Sequence, residues 1–207
     1  MSTTKRPGAL RRTLERPGLI ALLLAVLTVL VLLRGERDIG YVRDEGIYFE
    51  ASRRYAAWVA RWADEGSEAN TPGVRDRYFG FNHEHPALMK LAGGLSARLL
   101  ATPPDPEVVA ELERTRGKQQ AWQTEIAAVE GGKWPILREG AAMRLPAILL
   151  AGLAVALLFL AGRRLGHGKL AGLLAAGWFV LLPRVQFHAS LHAFDVPIAA
   201  LTLAVAL

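Results

Sequence analysis

The sequence predicts an all-α integral membrane protein with about four transmembrane helices, the last of them truncated, and a long outer loop that carries amphipathic interfacial helices. Three observations support this fold class. Of the 207 residues, 52% are hydrophobic, which exceeds the roughly 45–50% of a typical soluble domain. These residues are clustered in long runs instead of being spread along the chain. Arginines flank the runs, as they often do at the ends of membrane spans.

The apolar runs set the predicted domain boundaries. We predict transmembrane helices at residues 18–34, 145–162 and 170–187, and the start of a fourth at residues 196–207. The apolar part of the third is too short to cross alone, so we expect it to continue past Pro183 with a kink or a break. The fourth is too short for a bilayer, so we expect more protein after Leu207.

A basic tail at residues 1–17 precedes the first apolar run. Secretory signal peptides share this order of a basic segment and an apolar core. No small-residue cleavage site follows the run, which gives way to Arg34-Gly35-Glu36-Arg37. We therefore interpret residues 18–34 as an uncleaved membrane span.

The short basic segments predict the orientation. The tail and the loop at residues 163–169 are both rich in arginine or lysine, and two spans separate them. The positive-inside rule places both in the cytoplasm, and hence residues 35–144 and 188–195 outside. We expect a multi-pass protein of a bacterial inner membrane, with its N-terminus in the cytoplasm and its functional site on the outer face.

The outer loop contains apolar residues at helical spacing. A first set recurs along one side of a predicted helix: Tyr48, Ala51, Tyr55, Trp58, Val59 and Trp62. Charged residues fall on the opposite side: Arg53, Arg54, Arg61 and Asp64. This pattern favours a helix lying in the membrane interface, with its aromatic rings at the headgroup level. The alternative is a water-soluble helix packed on a core.

Two further helices are predicted in the loop. The first follows Pro86 and has an apolar face formed by Leu88, Leu91, Ala92, Leu95 and Leu99. The second covers residues 107–129, which are polar and rich in glutamine, and we interpret it as a solvated arm.

Composition excludes some functional classes. The chain has no cysteine, which excludes disulfides and thiolate metal sites. Its net charge of +6 comes from arginines beside apolar runs, and no aromatic-basic platform accompanies them. We therefore expect no nucleic-acid partner. The predicted transmembrane helices imply contact with membrane lipid.

Asp44 and Glu45 are the first candidate catalytic residues. Asp44 is placed to cap the predicted helix, and Glu45 would lie favourably at its positive end. A carboxylate here could also serve as a general base that accepts a proton from an acceptor hydroxyl or amine. The two roles are compatible, because a cap would fix the carboxylate in place. We expect Glu45 to have the greater freedom of the two.

Two histidine clusters are candidate binding sites. In His83-Glu84-His85-Pro86, the carboxylate and imidazoles could bind a divalent metal or contact phosphate, or the segment could be only the turn before a helix. It is not the zinc-protease pattern, whose histidines lie four residues apart on a helix. A continuous helix would place His188, His192 and Asp195 on one face, which is plausible metal-ligand spacing.

Taken in order, these segments resemble the start of the GT-C glycosyltransferases, in the branch of protein O-mannosyltransferases and lipid A aminoarabinose transferases. The basic tail and first span are followed by Asp44, Glu45 and Tyr48, which match an outer Asp-Glu-x-x-Tyr. The remaining similar segments are Glu84-His85-Pro86, Arg144-Leu145-Pro146, Gly162-Arg163-Arg164-Leu165-Gly166, and His188 through Asp195-Val196-Pro197. The likeness covers nearly the whole chain.

The resemblance implies an enzyme that transfers a sugar from a polyprenyl-phosphate carrier to a lipid or protein acceptor. By position, Asp44 would be the catalytic base, Glu45 its neighbour, and Asp195 a second acid. Glu84 and His85 would lie near the carrier phosphate or a metal. With them, Tyr48, His83 and His192 are our candidate substrate or phosphate contacts, and Glu84 and His188 are candidate ligands should a divalent metal bind.

The chain departs from the family pattern in two places. Ala87 stands where the family has a second proline, and residues 103–139 resemble an insertion. The family also has many more spans and an outer C-terminal domain. Two other functions are compatible with the residues alone: a non-catalytic membrane subunit whose outer loop binds a partner, and a membrane metalloprotein.

Overall fold

The computed structural model describes residues 16–40, 42, 44–103 and 132–207. Within these ranges the chain is helical and has no β-strand, only an isolated parallel bridge between Ala101 and Leu137. The predicted solvated arm and nearly all of the basic tail lie outside the described residues.

Four helices lie between residues 17 and 100 of the described chain. They are α1 (Pro17–Gly35), α2 (Glu45–Glu65), α3 (Pro72–Phe79) and α4 (Ala87–Leu100). Short 3₁₀ turns at Glu36–Asp38 and Gly66–Asn70 follow α1 and α2. Both α3 and α4 begin next to a proline, Pro72 at the first helical position of α3 and Pro86 just before α4. Proline suits these positions because the first helical N–H groups have no partner within the helix.

Four more helices complete the described chain. They are α5 (Glu139–Leu165), α6 (Lys169–Leu181), α7 (Pro183–Ala189) and α8 (Asp195–Ala206). The helix α5 begins before the predicted Leu145, so Pro146 lies inside it and not in its first turn.

The residues divide into two compact units. The span unit contains residues 16–35, Ile148–Ser190 and Asp195–Leu207. The loop unit contains the described residues of Glu36–Ala147 together with Leu191–Phe194.

Close helix packing builds the span unit. A Cβ on Gly152 of α5 would contact the Ala25 carbonyl and the Val29 side chain of α1. A Cβ on Gly172 of α6 would overlap the Phe159 carbonyl of α5. Small residues at such positions let helix backbones approach closely. In lipid there is no hydrophobic driving force between helices, so close packing of this kind is what stabilises their association.

Two helices of the described chain, α1 and α5, are long and apolar enough to span a membrane. The pair α6 and α7 would make a third span if counted together, but the two are bent by 72° at Leu182. The apolar helix α8 is shorter than a span. The structure thus supports a helical membrane protein, and the predicted break at Pro183 is present, whereas four spans are not established.

The loop unit is built on the contact between α2 and α4. A Cβ on Gly94 of α4 would overlap the carbonyl of Ser52 on α2, so the two helices cross at a position that only glycine allows. Phe49 of α2, Ala97 of α4 and Met143 of α5 belong to one buried cluster beside this crossing.

The interface prediction for α2 is wrong for much of the helix. Ala51 and Tyr55 are fully buried in the loop unit, where the Tyr55 ring packs on Phe79 at 4.4 Å between centroids. Arg54, which we expected on the polar side, is also buried, 2.9 Å from Glu50. The alternative of a helix packed on a core describes this part of α2, and Trp62 near its end stays half exposed.

The apolar face predicted for α4 is only partly buried in the loop unit. Leu88 and Leu99 are exposed, whereas the buried residues are Met89, Lys90, Gly93, Gly94 and Ala97. Small residues at positions 93 and 94 bring α4 close to α2, and this close approach decides which residues pack. The interfacial placement of this helix stays a prediction.

Candidate active site

Arg144 is the centre of a buried ionic cluster in the loop unit. Its Nε donates to Glu45 Oε1 at 2.7 Å, and its Nη2 donates to Glu45 Oε2 at 2.5 Å. Its Nη1 donates to Glu36 Oε1 at 3.0 Å. All three residues are at most 4% exposed. Buried charges are tolerated when they are paired and hydrogen-bonded, and this two-pronged arginine geometry is among the strongest pairings.

Backbone groups complete the cluster. The guanidinium also donates to the carbonyls of Ile39 at 3.3 Å and Gly40 at 3.0 Å. Burial alone would raise the pKa of Glu45, but the hydrogen bonds and charge of Arg144 and the backbone N–H of His192 together lower it below its ordinary value of 4.5. Glu45 is therefore an ionised anchor at the start of α2, and the expectation that it is the freer of the two carboxylates is wrong.

His192 packs on this cluster from the segment between α7 and α8. Its backbone N–H donates to Glu45 Oε1 at 2.8 Å. The Ser52 hydroxyl donates to the Tyr48 carbonyl at 2.7 Å, so it accepts from His192 Nε2, 2.8 Å away. Burial is the main reason that the pKa of His192 is lowered to about 4; the charge of Glu45 opposes this shift, and the charges of Arg144 and Lys90 add to it. The ring is therefore neutral at neutral pH.

Gly93 of α4 is the wall against which the His192 ring packs. A Cβ at this position would overlap the ring Cε1 and approach the carbonyl of Met143. The absence of a side chain at Gly93 therefore leaves the space that the imidazole occupies.

The buried imidazole makes stability depend on pH. In the unfolded chain a histidine has a pKa near 6.5, whereas in the fold the pKa of His192 is about 4. Between these values the unfolded state binds more protons, so stability falls as the pH is lowered from 6.5 to 4, by up to about 3 kcal/mol. We expect the melting temperature of the purified protein in detergent to drop across this range.

The matched variants are His192→Gln and His83→Gln. His192→Gln should flatten the dependence of the melting temperature on pH between 6.5 and 4, although its melting temperature at pH 7 will be lower. His83 is 77% exposed, so His83→Gln should keep the wild-type slope. Equal slopes for His192→Gln and wild type would show that His192 is not the group that titrates.

Asp44 is exposed at the start of α2. It occupies the N-cap position, yet its side chain makes no capping hydrogen bond, so the expected cap is wrong in that respect. Its carboxylate has no hydrogen bond or ion pair with any residue that the structure describes. The backbone is held all the same, because the Asp44 carbonyl accepts from the N–H of Tyr48 at 3.2 Å and the next residue is the anchored Glu45.

Tyr48, His85 and Phe194 form an aromatic cluster, and Asp44 lies one helical turn before Tyr48. The Tyr48 ring meets His85 edge-on at 5.5 Å and Phe194 at 5.0 Å, and His85 stacks on Phe194 at 5.6 Å. Asp44 and Tyr48 are four residues apart, so they share a face of the helix start. The structure thus brings together two predicted binding residues, Tyr48 and His85, and adds Phe194.

Lys90 holds the turn at Asn82, which is followed by the predicted His83-Glu84-His85-Pro86 cluster. It is fully buried, donates to the carbonyl and the side-chain Oδ1 of Asn82, and burial lowers its pKa. Asn82 adopts a positive φ of 55°, which asparagine tolerates better than most residues. Glu84 and His83 are exposed in this turn, and Glu84 accepts from Asn82 Nδ2 at 3.0 Å.

The second histidine cluster does not lie on one continuous helix. Helix α7 ends at Ala189 and α8 begins at Asp195, so His188, His192 and Asp195 do not share one helix face. His188 and Asp195 belong to the span unit, where Nδ1 and Oδ2 lie 3.3 Å apart. His192 belongs to the loop unit.

The described residues do not fit a metal centre. No group of three or more histidine or acidic side chains converges in them in a way that could hold a metal ion. Neither Glu84 nor His188, the expected ligands, belongs to such a group.

Sequence reasoning missed Glu36, Ser52, Lys90, Gly93 and Phe194, and it noted Arg144 only as part of a motif. Two of these carried a usable signal. Lys90 is a charge among the apolar residues that begin α4, and Arg144 stands at the edge of an apolar run. Charges in such places are costly unless they are paired.

No protein-family model, curated protein or solved structure matches this chain.

Proposed function

We propose that this chain belongs to a membrane glycosyltransferase that moves a sugar from a polyprenyl-phosphate carrier to a lipid or protein acceptor on the outer face of the membrane. The observation that carries the proposal is the contrast between two adjacent carboxylates. Glu45 is buried and committed to Arg144, whereas Asp44 is exposed and the described fold makes no use of its side chain. The order of motifs resembling GT-C enzymes supplies the reaction type.

In the proposed reaction Asp44 is the general base. It accepts the proton from an acceptor hydroxyl or amine, whose oxygen or nitrogen attacks the anomeric carbon of the sugar. The bond between that carbon and the phosphate oxygen breaks, and the electron pair leaves with the carrier phosphate. A base in such a role must lie within hydrogen-bond reach of the attacking group. Anchoring of Glu45 would fix the backbone from which Asp44 reaches it.

The aromatic cluster of Tyr48, His85 and Phe194 is the proposed sugar-binding surface. Aromatic side chains commonly line small-molecule sites, with a few polar groups fixing orientation. The His85 ring could in addition donate to the departing phosphate, whose negative charge grows as the bond breaks. Asp195, which the resemblance implies as a second acid, is 74% exposed and paired with His188, and the proposal gives it no step.

The direct test is transfer by membranes that contain the full-length protein. Labelled polyprenyl-phosphate sugars would be supplied one at a time, and label in lipid and in protein would be measured separately. Label that appears only when the protein is present supports the proposal. If no donor gives label while the protein is folded in the membrane, the alternative of a non-catalytic subunit is favoured.

The proposed orientation predicts which residues face outward. The chain has no cysteine, so Thr3→Cys and Ser67→Cys each introduce a single thiol. An impermeant maleimide added to intact spheroplasts of a bacterial host should label Ser67→Cys and leave Thr3→Cys unlabelled. Inverted membrane vesicles should give the reverse. Labelling of both from one side would contradict the orientation and the outward site.

A further inference from the structure

The span unit has an open pocket that the proposed reaction does not use. Its volume is about 380 Å³, within the roughly 300–1,000 Å³ of small-molecule sites. Three polar side chains line it, Arg184 and His188 of α7 and Asp195 of α8. The remaining lining residues are apolar: Phe179, Val185, Val196 and Ala199.

Arg184 is the unusual member of this group. It lies in α7, immediately after the 72° bend that separates α6 from α7. It has no ion pair or hydrogen bond to the residues that the structure describes, and it is exposed on the pocket side of a short helix between apolar ones. An ionisable residue at such a place in a membrane protein is functional by default. Its planar guanidinium suits two-pronged binding of phosphate oxygens.

Asp195 supplies the opposite charge. It is exposed, and one of its oxygens lies 3.3 Å from His188 Nδ1. A carboxylate has two oxygens and several acceptor positions, so this contact leaves capacity for a second donor. The pocket therefore contains a cation that can bind phosphate, Arg184, an anion that can bind ammonium, Asp195, and an apolar lining.

We propose that the Arg184–Asp195 pocket binds the headgroup of a zwitterionic aminophospholipid, the phosphate on Arg184 and the ammonium on Asp195. The apolar lining would contact the glycerol and the first part of the acyl chains. This site is independent of the sugar transfer proposed above, and in it Asp195 binds lipid.

The pocket chemistry predicts a lipid preference. Phosphatidylethanolamine presents both a phosphate and an ammonium group. Phosphatidylglycerol presents a phosphate without an ammonium group, so the carboxylate of Asp195 would have no cation to pair with. The purified full chain would be titrated in detergent with short-chain forms of each lipid, and bound lipid counted by native mass spectrometry. We expect several-fold tighter binding of phosphatidylethanolamine.

Two substitutions separate the two charges. Arg184→Gln removes the phosphate contact and should weaken binding of both lipids by at least about tenfold, the size expected for hydrogen bonds to a charged group. Asp195→Asn removes the ammonium contact and should abolish the preference for phosphatidylethanolamine while keeping affinity for phosphatidylglycerol. Arg164→Gln, at the end of α5 and outside the pocket lining, is the control and should change neither.

Three results would overturn the proposal. Unchanged lipid binding by Arg184→Gln would remove the phosphate site. A preference for phosphatidylethanolamine that survives Asp195→Asn would remove the ammonium contact. Free phosphoethanolamine binding as tightly as the lipid would show a site for a soluble headgroup. Sugar transfer is not measured in any arm, so failure here leaves the proposed function standing.

Discussion

Replacing Asp44 with asparagine should reduce sugar transfer by about 10²–10⁴-fold, the usual contribution of a positioned general base. Asparagine keeps the size of the side chain and removes the proton acceptor. The protein should fold as well as wild type, because Asp44 is exposed and makes no capping hydrogen bond. Initial rates with saturating donor, in membranes containing equal amounts of full-length protein, would measure the loss.

Two comparisons make the result specific to the base. Asp44→Ala should be as inactive as Asp44→Asn and should be present at a similar level, since the side chain does not cap α2. Asp64→Asn changes an exposed carboxylate near the other end of the same helix and should retain full activity. A fully active Asp44→Asn variant would exclude Asp44 as the base and with it the proposed mechanism.

Replacing Arg144 with methionine should destabilise the loop unit by about 3–5 kcal/mol, because it leaves the buried carboxylate of Glu45 without a cation and leaves Glu36 only its contact with the exposed Arg138. A cost of this size is a large fraction of the stability of most domains. Chemical unfolding in mild detergent, followed by near-ultraviolet circular dichroism, would measure the change.

A compensating variant and a surface pair provide the controls. Removing both acids from the Arg144→Met chain, with Glu36→Gln and Glu45→Gln, should recover part of the loss because no buried charge is then unpaired. Arg61→Met breaks the exposed pair with Glu65 and should cost no more than about 1 kcal/mol. Equal losses of unfolding free energy for Arg144→Met and Arg61→Met would mean that the buried cluster contributes no more to stability than an exposed ion pair.

The membrane helices were predictable because lipid imposes a simple rule. A helix needs about 20 apolar residues to cross the hydrocarbon core, and the predicted first span at residues 18–34 closely matches α1. The starts of α2 and α4 were also visible, since Asp44 and Pro86 are typical of positions that precede a helix.

The packing of the loop unit was not predictable by the same means. Helical periodicity gave the apolar face of α4 but not the residues that pack, because glycines at positions 93 and 94 allow a close contact with α2 while Leu88 and Leu99 stay exposed. Of the predicted site residues, Tyr48 and His85 are in contact, and His192 belongs to the buried network around Glu45. The pairing of Arg144 with Glu45 spans 99 residues, and no local pattern reports a contact of that range.

That separation has a consequence for how the protein is made. A ribosome adds about 5–20 residues per second, N-terminus first, so Arg144 is synthesised roughly 5–20 s after Glu45. For that interval the carboxylates of Glu36 and Glu45 must remain hydrated, since Arg144, with which they pair, has not yet been synthesised. The backbone of His192 is synthesised later still. The region around Asp44 therefore cannot mature as an early nucleus, and its last step is the dehydration of a charge pair that the nascent chain completes late.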